Sequence, residues 1–400
     1  MKKLLFITSQ LPYPPVKGGV IVSWNLLRRL AERFELSVIT VLKGDDPTHE
    51  AAFREQITLA DYYSEEINIG RSPGALLKSY LQAVPINFIR NYSSVLAEKI
   101  HQSLPQYDYA LVDHYEMFQY IPKTGKTPPI ILHEHNAEHV MWERYAKLSK
   151  NPVRKLLSSL ESKRIRAKEV AFCERADLVL AYPNDREILQ RLTSKNVRFQ
   201  EITPCGEEQL QEEPELVWDE TEEALLFVGS LGWEANRDGL IWFLEQGWES
   251  LKAQVPAAKF YIVGADPDDM LRGLAERFPD VILTGFVDDL EPYYRRSRVF
   301  VSPLRFGSGI KIKVINAAHR GIPTVTTSIG VEGMPFNNGL DIFFSDDIPT
   351  FVKDCTQLLQ NQSQWEQMRD KSRQFARLHF SWSEMLKRIT KQIMSLDKQF

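Results

Sequence analysis

The feature that most restricts this chain is a unit at its N-terminus: strand, glycine loop, helix, strand. Lys3 to Ser9 is a short apolar run that ends in turn residues, and Leu36 to Val41 is a second one rich in β-branched residues. Between them Gly18 and Gly19 open a helix over Val20 to Phe34, where Val20, Trp24, Leu27 and Leu30 share one face. Such a unit predicts a parallel sheet with right-handed crossovers. Tyr109 to Val112, Ile130 to His133 and Leu178 to Ala181 read as further strands. After an acidic, weakly periodic segment from Glu207 to Glu223, the alternation starts again. Its strands are Leu225–Gly229, Lys259–Gly264, Val281–Thr284, Val299–Ser302 and Thr324–Thr326. Its helices are Asp238–Gln254, Pro267–Arg277, Asp289–Arg296 and Gly309–His319. Ile348 to Leu396 reads as helical, with a break near Phe380 to Trp382. The expected fold class is α/β, with two successive α/β domains meeting across a cleft. In open parallel sheets ligands bind beyond the carboxyl ends of the strands, so the loops there are where chemistry is expected.

Composition narrows the function classes. The 400 residues are 43% hydrophobic and 26% charged, which excludes a mainly disordered, collagen-like or disulfide-rich chain. A net charge of −4, from 49 basic and 53 acidic residues, argues against a general nucleic-acid binder. No apolar run reaches the ~18 residues of a membrane span. The opening MKKLLFITSQLPYPP lacks a cleavage site and reads as a first strand, not a signal peptide. Cys173, Cys205 and Cys355 have no metal-ligand spacing, so a reducing cytoplasm is the expected location.

The sharpest motif is PLRFGSGIKIKVINAAHRGIPTVTT, starting at Pro303. Gly307 and Gly309 let backbone amides approach an anion, and the helix that follows adds its partial positive charge. Arg305 before the glycines and Lys311 in the expected first turn can neutralise phosphates. Spacing alone also allows a tight turn with solvated lysines.

This run resembles the donor-binding segment of group 1 (family 4) glycosyltransferases, which have the GT-B fold. Other phrases agree, in the family's order: LPYPPVKGG for the first loop, LHEHNAEH and AYPNDREIL in the N-terminal domain, ITPCGEE between domains, and FVGSLGWEANRDGLIWFL opening the C-terminal domain. The resemblance implies two Rossmann-like domains facing a cleft, an acceptor domain over 1–203, completed by 380–400, and a nucleotide-sugar domain over 204–379. The final helix then crosses back to the first domain. It also implies retaining transfer from a nucleotide-diphosphate sugar of UDP or GDP type, with no cofactor and no metal. Carried over residue by residue, Arg305, Lys311 and Lys313 face the diphosphate. Gly285, Phe286 and Val287 hold the base through backbone atoms, and Gly18 and Gly19 approach the donor phosphates. Glu332 reaches the sugar ring, or is a solvated loop carboxylate.

Three positions depart from the family pattern. The ribose-holding glutamate is Asn316, which can still hydrogen-bond a hydroxyl without a carboxylate's charge. The acidic position eight residues earlier is Ser308. The arginine and lysine after the first strand of the C-terminal domain are replaced by Ser230 and, as a substitute, Arg237.

His114, just past a strand, is the first candidate to lie near the donor sugar, and His135 the second; either is also readable as a hydrogen-bonded loop histidine. His133, His135 and His139 have a spacing that suggests a metal, but no cysteine supports zinc and none is expected. The aspartate doublets 45–46, 268–269, 288–289 and 346–347 read as caps.

The segment 147–168 holds eight cations against Glu161, with Glu169 just beyond, and Leu156, Leu157, Leu160 and Ile165 interleave. A basic amphipathic helix contacting anionic lipid at the inner membrane face is one reading, and a solvated helix over the core is the other. The expected partners are a nucleotide sugar and a glycan or lipid-linked acceptor, in bacterial cell-surface polysaccharide synthesis, with no nucleic acid. A nucleotide-sugar epimerase and a non-catalytic nucleotide-sugar binder are the alternatives.

Overall fold

The computed structural model describes residues 1–15, 18–70, 72–149, 151–194, 196–307 and 309–398. The chain forms two compact units, Met1–Thr203 with Ser383–Phe400, and Pro204–Trp382. Each is built on one parallel sheet.

In the first unit the strands are β1 (Lys3–Thr8), β2 (Glu35–Leu42), β3 (Asp61–Glu66), β4 (Tyr109–Asp113), β5 (Ile130–Glu134), β6 (Leu178–Ala181) and β7 (Phe199–Glu201). They lie in the order β3-β2-β1-β4-β5-β6-β7. The helices are α1 (Gly18–Ala31), α2 (Pro47–Gln56), α3 (Pro73–Leu81), α4 (Ile86–Arg90), α5 (Ser94–Ser103), α6 (Glu138–Leu148), α7 (Pro152–Cys173) and α8 (Pro183–Leu192). Strands β1 and β4 are buried along nearly their whole length because helices cover both faces of a parallel sheet. The edge strands β3 and β7 carry no apolar run, which is why periodicity does not reveal them.

The second unit holds β8 (Glu222–Val228), β9 (Lys259–Val263), β10 (Val281–Gly285), β11 (Ser297–Ser302), β12 (Thr324–Thr326) and β13 (Phe343–Phe344), in the order β10-β9-β8-β11-β12-β13. Its helices are α9 (Glu234–Gln246), α10 (Trp248–Gln254), α11 (Asp269–Ala275), α12 (Glu291–Arg296), α13 (Ile312–Arg320), α14 (Ile348–Gln360) and α15 (Gln362–His379). The expected helix 238–254 starts earlier and breaks at Gly247 into α9 and α10. The expected 348–396 run has an extra break at Asn361, whose side chain accepts from Gln364 N at 3.0 Å and caps α15.

Helix α16 (Trp382–Met394) returns the chain to the first unit. There Asp397, just past it, accepts from Tyr109 Oη at 2.6 Å, and Gln392 accepts from Arg198 at 2.5 Å. Trp382, the last residue of the second unit, is buried and donates its indole N–H to Gly206 O at 2.9 Å.

The aspartate doublets act as caps: Asp46, Asp268, Asp289 and Asp347 each accept from a backbone amide at the start of a helix. All three cysteines are buried. The basic segment is not one helix. Asn151 caps α7 through the amides of Val153 and Arg154, and Pro152 takes its first position, so Lys147 belongs to α6.

Candidate functional site

In the first unit the carboxyl ends of β1, β4 and β5 meet the start of α1, as the topology of a parallel sheet requires. Asp113 ends β4 and is completely buried. Its Oδ1 lies 2.8 Å from His133 Nδ1 and 2.7 Å from His135 Nε2. Its Oδ2 accepts from Ser23 Oγ at 2.7 Å and from Thr8 Oγ1 at 2.9 Å. His114 Nδ1 lies 3.2 Å from the same Oδ2. The His114 and His135 rings stack at 3.9 Å and 10°. His114 holds φ at +76°, a conformation that costs a side-chain-bearing residue about 1–3 kcal/mol and that its surroundings impose.

The charges separate in this cluster. Burial disfavours charge on Asp113, but the histidines around it hold its pKa well below the ordinary carboxylate value. Burial also works against His114, and the Asp113 charge outweighs it, raising its pKa to about 9. Burial, with His114 and His133 nearby, pushes His135 down to about 3. One imidazolium therefore stacks on one neutral imidazole. Glu134, buried at the end of β5, is pushed well above the usual carboxylate range by burial and then by the Glu169 carboxylate.

Asp113, His114 and His135 offer ligand atoms within 4.8 Å of one another. His135 Nε2 and His114 Nδ1 face different oxygens of Asp113, at 2.7 and 3.2 Å, and a carboxylate oxygen takes a ring N–H, not a ring lone pair, as its partner. The histidines whose spacing suggested a metal do not converge, because His139 Nδ1 turns to Glu169 at 2.5 Å. Gly19 sits against this cluster: a Cβ there would lie 3.9 Å from His135 Nδ1. Gly18 is the first residue of α1.

In the second unit the loop after β11 carries Gly307 at φ +131° and Gly309 at φ +76°. Neither is right-handed helical, so α13 begins at Ile312 and not at Gly309. Lys311 is consequently the N-cap, and Lys313 lies in the first turn. Lys311 Nζ bonds Gly309 O and stands 4.0 Å from Glu332 Oε2. Lys313 Nζ donates to Asn236 Oδ1 at 2.6 Å and lies 4.2 Å over the Phe227 ring. Burial lowers its pKa to about 7, with Lys311 adding to the effect. Asn236 in turn donates to Ser230 O at 2.8 Å. Thus the strand end at Gly229–Ser230, the start of α9 and the start of α13 are tied together by Asn236 and Lys313. Helix α9 packs directly on the loop because residue 239 is glycine; a Cβ there would come 2.1 Å from Pro303 O.

Other candidates are placed elsewhere. The Arg305 guanidinium forks onto Asp238 at 2.8 and 2.5 Å, and Arg237 pairs with Asp268 at 3.2 Å. Asn316 uses both ends of its amide on one residue: Oδ1 accepts from Glu207 N and Nδ2 donates to Glu207 Oε1, each at 3.0 Å. Gly285 adopts φ +73° and its carbonyl accepts from Gly264 N at 3.0 Å; Phe286 is exposed, and Val287 packs on the core. Ser308 lies outside the described residues. Sequence reading assigned no role to Asp113, Ser23, Asn236 or Glu207. Asp113 alone left a signal, an acid at a strand end beside a candidate histidine.

Residues 222–361 match the family described as glycosyl transferases group 1. Over its whole length the chain resembles HepE of Anabaena, solved with UDP and glucose: TM-score 0.69, 13% identity, 99% of this chain and 100% of that one. It also resembles the sucrose-phosphate synthase of Thermosynechococcus elongatus, with a TM-score of 0.68 at 16% identity and both chains fully covered. A Klebsiella pneumoniae protein, described as an uncharacterized 44.6 kDa protein in the cps region, is 20% identical over 88% of this chain and 90% of its own. The glycine loop, the lysines of α13 and the two parallel sheets agree with these findings: residues 222–361 match a group 1 glycosyltransferase domain, in a chain whose fold is GT-B.

Proposed function

We propose that this chain transfers a sugar from a nucleotide-diphosphate sugar to a glycan or lipid-linked acceptor, with retention at the anomeric carbon and without a metal ion. The observation that carries the reading is the head of α13, where a loop of two positive-φ glycines meets Lys311 and Lys313. Backbone amides at a helix start and the cationic Lys311, with Lys313 beside it, suit a diphosphate of UDP or GDP type. In the transfer the bond from the anomeric carbon to the phosphate oxygen breaks and a bond to the acceptor oxygen forms. The acceptor proton passes to the departing diphosphate. His114, charged and fixed by Asp113, orients the sugar and balances developing negative charge. The relative from a cps region favours cell-surface polysaccharide as the product. Peripheral contact with the inner membrane face through segment 147–168 belongs to the same reading.

Donor hydrolysis in the absence of acceptor tests it. Free sugar is expected, in amounts that a chelator leaves unchanged, whereas an isomerised donor or tight binding without turnover sinks the reading. Lys311→Ala should lower turnover more than ~10-fold and weaken nucleoside-diphosphate binding, on the scale of one lost electrostatic donor. Unaltered diphosphate affinity by calorimetry contradicts that assignment.

A further inference from the structure

Three residues, His135, Asn136 and Ala137, join β5 to α6. The first is His135, whose ring meets Asp113 at 2.7 Å and stacks on His114. The last is the N-cap of α6, and alanine has no oxygen to offer the unpaired amides there. Helices α2, α7, α14 and α15 are capped by the side chain just before them, and α6 is not.

Carboxylates from two other helices take these amides instead. Asp185 Oδ1 of α8 accepts from Ala137 N at 2.8 Å, and Glu169 Oε1 of α7 accepts from Glu138 N at 2.6 Å. Glu169 is completely buried, and its second oxygen lies 2.5 Å from His139 Nδ1 in the first turn of α6. Ser162 of α7 donates to His139 O at 2.9 Å. Both anions meet the partial positive charge of the helix start. Burying a carboxylate is costly, and a polar side chain at residue 137 would cap α6 without that cost. Such a cap would travel with the helix, however. Caps from α7 and α8 fix where α6 begins relative to the rest of the unit, and with it the end of the short connection that carries His135.

We propose that Glu169 and Asp185 are positioning residues: they hold the β5–α6 connection so that the His135 ring meets His114 where the site requires it. This rests on the reading in which His114 orients the donor sugar. Asp177 supplies a matched control. Like Asp185 it is partly buried, and it accepts from Ile130 N at 2.7 Å, a carboxylate–amide bond at the opposite end of the same strand. Full chains carrying Asp185→Ala, Glu169→Gln or Asp177→Ala are compared by thermal melts, donor hydrolysis without acceptor, UDP and GDP titration, and NMR of the His114 and His135 rings in 15N-histidine-labelled protein. Asp185→Ala and Glu169→Gln should shift both ring signals and lower turnover on the order of 10- to 100-fold, the scale of a misplacement of about 1 Å, with diphosphate affinity unchanged. Asp177→Ala should lower the melting temperature and leave rings and turnover as they are. Asp185→Asn keeps an oxygen for Ala137 N and should retain turnover. Ala137→Ser added to Asp185→Ala gives α6 a cap of its own and should recover the melting temperature but not the turnover. If Glu169→Gln does not fold, Asp185→Ala decides alone. Unmoved ring signals in Asp185→Ala, equal losses in Asp177→Ala, or full recovery of turnover by Ala137→Ser would each overturn the proposal. Ring signals are read without substrate, so shifted rings in a chain that hydrolyses no donor would uphold the positioning and sink the transferase reading instead.

Discussion

Asp113 satisfies two hydroxyls and two imidazoles through hydrogen bonds and stands against a third ring, all on two oxygens. Its consequence is a pH optimum for folding. His114, raised to about 9, contributes stability that is complete below ~6.5 and is lost as pH rises through 9. His135, lowered to about 3, takes up its proton more readily when unfolded, so stability is lost as pH falls below ~6.5. The first unit should therefore be most stable near pH 6.5. Asp113→Asn should flatten the alkaline limb, as measured by thermal melts across pH. A second prediction concerns Asn316. Asn316→Asp sets two carboxylates about where one amide–carboxylate bond was and should cost about 1–2 kcal/mol at neutral pH, given the exposure of Glu207. The swap Asn316→Asp/Glu207→Gln restores a donor and an acceptor and should recover most of it; an unrecovered melting temperature would dismiss the pairing.

At the scale of elements, alternation and glycine placement made the sheets legible, and the same glycines explain the errors. Sequence periodicity carried the helix after β11 back to Gly309, but positive φ at Gly307 and Gly309 stops it at Ile312. That shift moves Lys311 to the cap and brings Lys313 into the first turn, against Asn236. Helix α9 and this loop share the Gly239–Pro303 contact. Gly239→Ala should destabilise the second unit by about 1–3 kcal/mol through overpacking and displace the loop, weakening diphosphate binding in proportion. Calorimetric unfolding together with nucleotide titration measures both. Strands β3, β7 and β13 were not legible, being edge or two-residue strands without an apolar run.

For the whole molecule, the informative element is α16. Met385, Leu386, Ile389, Ile393 and Leu396 are buried, and the segment after Trp382 belongs to the first unit. Burial of several large apolar side chains at about 1.5–3 kcal/mol each is comparable to the entire stability of a domain. A chain ended after Trp382 should leave the first unit open to proteolysis while the second keeps its own unfolding transition. A truncated chain with both units equally protected would show that α16 is dispensable. Among the described residues no helix is long and apolar enough to span a membrane.

What the sequence determined by itself was what local chemistry dictates. Apolar period sets strands and helices, glycines mark where backbone must turn or approach, and acidic caps sit where amides are unpaired. The family resemblance added the crossing-back of the last helix and the expectation that the segment after β11 faces the donor. Only the tertiary structure decided which distant residues share a site. Asp113 stands 90 residues from Ser23 and 22 from His135, and Asn316 stands 109 from Glu207. Those pairings are set by the order of strands in the sheet and by the register of helix ends, and a hydrogen bond leaves no periodic trace in the chain that makes it.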